Sequence, residues 1–293
     1  MPHISRRDFL KTTAAVGAVA GLHATPLFAE RASATDWVTL GKSGVKVTRL
    51  AFGTGSHNGA IQMQLGQKEF TRQVRYAYER GIRFFETSES YMTPAALGAA
   101  LKGLPRDSYT LMSKVTTDGR SDPFKRLDDM RRTSDTDYFD IMLLHVQTSP
   151  TWPSDSERWQ DAILEAQSKQ TIRSHGASVH GLPALRRVAD DKWLEVSMIR
   201  MNHKGTKMDN ETDNWNQPGD VNEVVKHVQA ARTAGQGIIS MKLIGEGAFT
   251  DRSDRQKAMR FAFREAGVDC VTVGYKSTAE IDEAIDNLNM AFA

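Results

Sequence analysis

Cysteine is almost absent from this chain. Its 293 residues include one, Cys270, which excludes an internal disulfide and a cysteine-ligated cluster. That residue sits in the apolar run VDCVTVG, where a buried, inert thiol is expected. Charge of one sign is scarce too: the net charge is only +2, so there is no electrostatic footprint for nucleic acid. No apolar run reaches the ~20 residues of a membrane-spanning helix, so stable membrane insertion is not expected. No low-complexity linker or charge block divides the chain. A G-x-G-x-x-G turn is also missing. Gly53-Thr54-Gly55 follows a strand-like run but does not lead promptly into a helix, which weakens an open dinucleotide-binding sheet.

The N-terminus is built differently from the rest. The run SRRDFLK places Arg6 beside Arg7, and the modest apolar stretch TTAAVGAVAGL follows. Small residues then offer cleavage after Ala29, or after Ala34 in the Ala32-Ser33-Ala34 run. Charged start, apolar middle and small-residue exit are the parts of a secretory signal, and the arginine pair narrows it to the twin-arginine route. We therefore take residues 1–34 as a signal peptide and 35–293 as the folded domain. The expected destination is periplasmic or otherwise extracytoplasmic, with the twin-arginine export machinery as a partner.

Across the folded part, short apolar runs alternate with helical patterns. Strands are predicted at 49–53, 82–86, 109–114, 139–145, 172–178, 193–201, 237–243 and 269–274. Amphipathic helical stretches run from Lys68 to Arg80, Val221 to Ala234, Asp251 to Ala266 and Thr278 to Met290. Eight strands, each followed by a helix, in roughly 250 residues predict an α/β fold, a (β/α)8 TIM barrel. Ahead of it, VTLGKSGVKV (38–47) reads as a β-hairpin placed to plug the N-terminal mouth.

Barrels of this kind carry their chemistry at the C-terminal ends of the strands. Those positions hold Glu86 and Tyr91 after the second strand, Lys114 after the third, His145 after the fourth, and Ser178 and His180 after the fifth. Asn202 and His203 follow the sixth, Lys242 and the turn Gly245-Glu246-Gly247 the seventh, and Lys276, Ser277 and Thr278 the eighth. A tyrosine, with pKa ~10, is a poor acid at neutral pH. A nearby ammonium favours its phenolate, and a carboxylate beside the lysine keeps the lysine charged. A histidine can orient a carbonyl oxygen. Tyr91, Lys114, Glu86 and His145 together suit protonation of a carbonyl oxygen while hydride reaches carbon.

The stretches GIRFFETSESY, LGAALKGLPRDSYTLMSK and DYFDIMLLH resemble the aldo-keto reductases, and the likeness runs from the hairpin to the last helix. The resemblance implies an NAD(P)H-dependent carbonyl reductase acting on a small-molecule carbonyl substrate. Tyr91 would be its general acid, Lys114 the pKa modulator and His145 the carbonyl-orienting residue. It further implies that Ser178 contacts the nicotinamide carboxamide. Lys242, Gly245, Gly247, Lys276 and Ser277 would then lie on the phosphate and adenosine loops. Three departures stand out. Glu86 replaces an aspartate, Val179 replaces an asparagine for which His180 could substitute, and Ala95 or Ala96 stands where a glutamate before Leu97-Gly98 is expected. Separately, Lys276 could bind a 2′-phosphate, but an arginine expected a few residues on is absent. NADP is the expected cofactor, with NAD possible. In the loop 146–159, Trp152 is the expected wall of the substrate pocket.

Two other readings stay open on the sequence. One is a non-catalytic nicotinamide-nucleotide-binding barrel, motivated by Glu86 and Val179. The other is a metal-dependent barrel hydrolase or isomerase, in which His145, His180 and His203 would converge on an ion.

Overall fold

The structure is a computed structural model that describes residues 32–293 except Asp213 and Trp215. The twin-arginine pair Arg6 and Arg7, and the cut after Ala29, lie outside the described residues. The eight predicted strands form in order: β3 (Leu50–Gly53), β4 (Phe84–Glu86), β5 (Thr110–Thr116), β6 (Phe139–Gln147), β7 (Ile172–Val179), β8 (Val196–Arg200), β9 (Gly237–Met241) and β10 (Cys270–Val273). All pair in parallel and close into a barrel, with β10 between β9 and β3.

Alternation along the strands sorts side chains to two faces. Ala51, Phe84, Met112, Ile141, Leu143, Val196, Met198, Ile239 and Cys270 gather into an inner core. Their neighbours, among them Leu50, Phe52, Phe85, Leu111, Met142 and Leu144, join the residues of the surrounding helices in an outer core. Cys270 is fully buried inside the barrel, and burial pushes its thiol well above its ordinary range. It is the inert thiol that its apolar run implied.

Two features depart from the sequence pattern. After β7 the crossover holds only one helical turn, Leu182–Leu185, followed by turns. Asp191 accepts the backbone N–H groups of Trp193 and Leu194, so the chain bends there and β8 starts later than predicted. In β6 the register shifts between Leu144 and Gln147, with Val146 at φ 54° and exposed. Such a bulge turns neighbouring side chains relative to a regular strand, and it falls directly after His145.

The hairpin forms from β1 (Trp37–Thr39) and β2 (Lys46–Thr48), paired antiparallel. It closes the N-terminal end of the barrel. Leu40 and Val47 belong to the inner core. Lys42 N–H donates to Gly235 O (2.8 Å), and Thr110 Oγ1 donates to Lys46 O (2.6 Å). Gly237, at the start of β9, sits so close to Leu40 that an added Cβ would lie 2.5 Å from the leucine Cβ. The plug leaves the opposite mouth as the accessible end of the barrel. Among the described residues, no helix is long and apolar enough to cross a membrane.

If Leu40 is the stopper of the barrel floor, Leu40→Ala should lower unfolding free energy by about 2–5 kcal/mol, the usual range for a fully buried leucine. Urea denaturation reads this directly, and an unchanged midpoint would remove the plug from the core.

Candidate active site

At the C-terminal mouth, Glu86 ends β4 and Lys114 stands on β5, which continues two residues beyond it. The lysine is essentially sealed from solvent, with side-chain exposure of 1 %, and Glu86 shows 4 %. Lys114 Nζ donates to Glu86 Oε1 and to Thr87 O, the latter at 2.8 Å. The extra methylene of a glutamate is therefore absorbed. Thr272 Oγ1 donates to the other carboxylate oxygen at 3.4 Å. Gly53 supplies the room, because a Cβ there would lie 2.6 Å from Thr272 Oγ1 and 3.2 Å from Glu86 Oε2.

Tyr91 follows on the β4 loop and is partly exposed. Lys114 Nζ lies 4.7 Å from its ring centroid. Gly55 packs flat against the ring, where a Cβ would fall 2.6 Å from the phenol oxygen. His145 lies edge-on to Tyr91, with ring centroids 5.7 Å apart. Its Nδ1 is within hydrogen-bond reach of Ser88 Oγ (3.0 Å) and Ser90 Oγ (3.2 Å). The four residues that the sequence singled out thus share one small region.

Their protonation differs in one respect from the sequence expectation. Lys114 was expected to depress the tyrosine pKa. Instead burial, reinforced by Glu86 and Glu246, pushes the Tyr91 phenol well above its ordinary value. The reason is that Glu86 already balances the ammonium, so burial dominates. Lys114 itself is pushed below its usual range by burial, against the opposing pull of Glu86. His145 is driven down to about 3 by burial, with Lys114 and Lys242 adding to it. At neutral pH the mouth holds a protonated phenol and a neutral imidazole.

Ser178 is buried at the end of β7, with its Oγ 3.2 Å from His180 Nε2. The Arg200 guanidinium donates to His180 Nδ1, so Nε2 carries the ring proton and points it at Ser178. Asp209 stands 3.3 Å from Arg200 and also accepts the Gly181 N–H at 2.7 Å. Val179 is buried in the outer core and offers no polar group to the mouth. The three histidines do not converge. His145 and His180 are 6.5 Å apart, centroid to centroid, while His203 packs on Phe249 beside Asp254. Among the described residues, no three His, Cys, Asp or Glu side chains gather in a geometry suited to a metal ion.

A cleft of about 500 Å³ runs from Gly53, Glu86 and Tyr91 past Lys242, Glu246 and Gly247. It ends at Lys276, between the helices Arg252–Phe261 and Thr278–Ala291. Lys242 pairs with Glu246 at 3.0 Å, and Gly245, Glu246 and Gly247 all adopt positive φ. Gly245 faces Thr206 and Phe249 rather than the cleft. Ser277 is spent as the helix cap, its Oγ accepting the Glu280 N–H at 3.2 Å. Trp152 is not brought to the site. It is 1 % exposed in the outer core, and its indole N–H donates to Ala184 O at 3.3 Å. An aromatic at the first turn of a short helix met an apolar surface before it met solvent.

Gly53, Gly55, Thr272, Ser88, Ser90, Arg200 and Asp209 complete the mouth and were not singled out from the sequence. The signal for the glycines was present. A Gly-Thr-Gly run ending a barrel strand marks a close approach, although it is not a phosphate turn.

The histidine state carries a sign. An unfolded histidine titrates near 6.5, whereas His145 in the fold titrates near 3. Between those values the unfolded chain binds the extra proton, so stability rises with pH through that window and is lost as pH falls. His145→Asn should reduce the pH slope of unfolding free energy near pH 5 by about one proton. Denaturant melts at pH 5 and pH 7 measure it, and an unchanged slope would contradict the buried neutral state.

Comparison with known proteins places this barrel among relatives. The model of the Aldo/keto reductase family matches residues 49–288. The model of the twin-arginine translocation pathway signal sequence matches residues 3–23. A probable aldo-keto reductase of Glycine max is 32% identical over 94 residues, covering 31% of this chain and 27% of that protein. The methylglyoxal reductase DkgA of Escherichia coli O157:H7 is 26% identical over 148 residues, covering 46% of this chain and 51% of that protein. The aligned part thus spans about half or less of these curated relatives. An aldo-keto reductase from Bacillus halodurans in its holo form superposes with a TM-score of 0.68 at 17% identity, covering 87% of this chain and 91% of that one. One from Klebsiella pneumoniae in complex with NADPH gives 0.63 at 19%, covering 87% and 90%. With the closed barrel and the site geometry beside a family match over most of its length, the chain belongs to the aldo/keto reductase family and carries a twin-arginine signal.

Proposed function

We propose that this protein reduces an aldehyde or ketone with a nicotinamide nucleotide, using Tyr91 as general acid. The observation that best supports this is the packing of Tyr91 against the buried Lys114–Glu86 pair and the neutral His145, at one end of a long cleft. The residues present suit a dinucleotide. Gly53 and Gly55 keep side chains out of the mouth. The left-handed backbone at Glu246 and Gly247 brings main chain to the cleft wall. Lys242, Gly247 and Lys276 would hold the phosphate-bearing part, and Ser178, fixed by His180, would face the nicotinamide. When bound, the reduced nicotinamide supplies hydride to the carbonyl carbon.

The rest is the work of this chain's own groups. Tyr91 keeps its proton on Oη because burial disfavours the phenolate. As negative charge develops on the carbonyl oxygen, that proton passes to it. The Lys114 ammonium, 4.7 Å from the ring, stabilises the phenolate left behind. Glu86 and Thr87 O hold the ammonium in place. His145, neutral and anchored at Nδ1 by the two serines, is left with Nε2 to hydrogen-bond and orient the carbonyl oxygen. The non-catalytic reading drew on Glu86 and Val179. Glu86 reaches Lys114, which removes the first motive, and the Ser178–His180 contact offers polar groups where Val179 has none.

Small 2-oxoaldehydes are the first substrates to try, since several relatives are named methylglyoxal reductases. Met198 and Met241 line the mouth and suit a compact, partly apolar carbonyl. The export signal supports an extracytoplasmic site of action, reached with nucleotide already bound in the folded barrel. The domain boundary falls after Ala29 on this reading. Ala34 is wholly buried, donates its N–H to Asn289 Oδ1 at 2.8 Å and accepts the Leu50 N–H at 2.9 Å. A cut after Ala34 would pull that residue out of the barrel wall.

Purified protein should oxidise NADH or NADPH with methylglyoxal or a simple aldehyde. Tyr91→Phe should reduce kcat/KM by about 10²–10⁴-fold, the usual worth of a general acid. Full activity in that variant would dismiss the assignment. Intact-mass analysis of the exported form should find Glu30 as its first residue; a first residue at Thr35 would refute the proposed boundary.

A further inference from the structure

The end of the cleft farthest from Tyr91 has an unusual balance of charge. Four ionisable side chains line it: Arg255, Lys276, Glu280 and Glu283. The donors of Arg255 are already engaged. Its Nε and Nη2 bind the two oxygens of Glu283 at 2.6 and 3.0 Å, and its Nη1 donates to Phe249 O (2.9 Å) and Thr250 O (2.6 Å). That bidentate hydrogen bonding also holds the Glu283 carboxyl below its ordinary range, so it stays ionised at neutral pH.

The other carboxylate occupies the place an anion would seek. Glu280 Oε2 accepts the Lys276 N–H at 2.7 Å, while the Glu280 N–H donates to Ser277 Oγ at 3.2 Å. With Ser277 as the N-cap and Glu280 bonded to the residue before it, a carboxylate stands at the N-terminal end of the helix Thr278–Ala291. The positive end of that helix is thereby neutralised from within. Of the two cations at this end, Arg255 is matched to Glu283, whereas Lys276 has no side-chain ion pair among the described residues.

We propose that this end of the cleft selects NAD(H) over NADP(H): its two carboxylates accept a ribose 2′-hydroxyl and repel a 2′-phosphate. The inference rests on the reading of the cleft as a nicotinamide-nucleotide site, and it departs from the sequence expectation of NADP. A 2′-phosphate brings a second anionic group close to Glu280 and Glu283. Lys276 can answer it only as a point charge, and the one arginine at this end, Arg255, is already engaged by Glu283 and cannot grip it bidentately. Arg255 would have to leave Glu283, and Glu280 would have to leave the helix end. A hydroxyl needs neither change, since it donates to a carboxylate as that carboxylate stands.

The test is equilibrium binding without any carbonyl substrate, so it does not depend on turnover. The full folded protein is titrated with NADH and with NADPH, following quenching of its tryptophan fluorescence. NADH should bind at least about tenfold more tightly, equivalent to about 1.4 kcal/mol. The double variant Glu280→Gln with Glu283→Gln, its fold checked by circular dichroism, should gain several-fold in NADPH affinity and change far less toward NADH. Equal or tighter wild-type binding of NADPH would overturn this inference and leave the nicotinamide reading intact. Binding of neither nucleotide would overturn both. The wild-type ratio needs no variant, so a misfolded double variant does not shield the inference. A folded one with an unchanged ratio would show that these carboxylates do not set the preference.

Discussion

The mouth of this barrel is organised around one buried ion pair, Lys114 with Glu86. Taking both charges out of water is costly, and mutual attraction alone does not guarantee repayment. The fold answers with further polar contacts, from Thr87 O to the ammonium and from Thr272 to the carboxylate. It also keeps Gly53 free of a side chain at the point of closest approach. Losing one partner of such a pair typically costs about 3–5 kcal/mol, because the other charge is stranded. The pair therefore ties three strands, β4, β5 and β10, to the same local geometry. Tyr91 and His145 inherit their surroundings from it.

That dependence explains the protonation states. With Lys114 balanced by Glu86, the tyrosine sees mostly a desolvated pocket and stays a phenol. The histidine sees burial and two nearby ammonium groups and stays neutral. A protonated acid beside a neutral hydrogen-bonding imidazole is a workable arrangement for delivering one proton to a developing oxyanion. Lys242 and Arg255, like Lys114, are each matched to a carboxylate, Glu246 and Glu283 respectively. The cleft is thus rich in charge yet nearly balanced, and what it recognises depends on which pair yields, not on its net sign.

Much of the fold was legible beforehand. The eight apolar runs became the eight barrel strands because each is a short, largely buried segment of strand-like length. The candidate residues Glu86, Tyr91, Lys114 and His145 met because strand ends in a parallel barrel all face one mouth. Trp152 shows where that logic fails. A loop after a strand need not line the mouth, and a tryptophan gains more from burial against Ala184 and its neighbours than from exposure to a cleft. The bulge after His145 and the one-turn crossover after β7 were equally hidden, since both arise from how neighbouring elements pack.

The sequence by itself determined the export signal, the alternation of strands and helices, and the set of residues able to do carbonyl chemistry. These are local or periodic properties, carried by short stretches of chain. Only the tertiary structure decided that Glu86 is long enough without being too long, that Gly53 and Gly55 are what the ion pair and the phenol pack against, and that the tyrosine is held protonated. It also decided that Glu280 folds back onto its own helix end. Each of these depends on distances between residues far apart in the chain, and on how much water is excluded between them, and neither quantity is written in any single stretch.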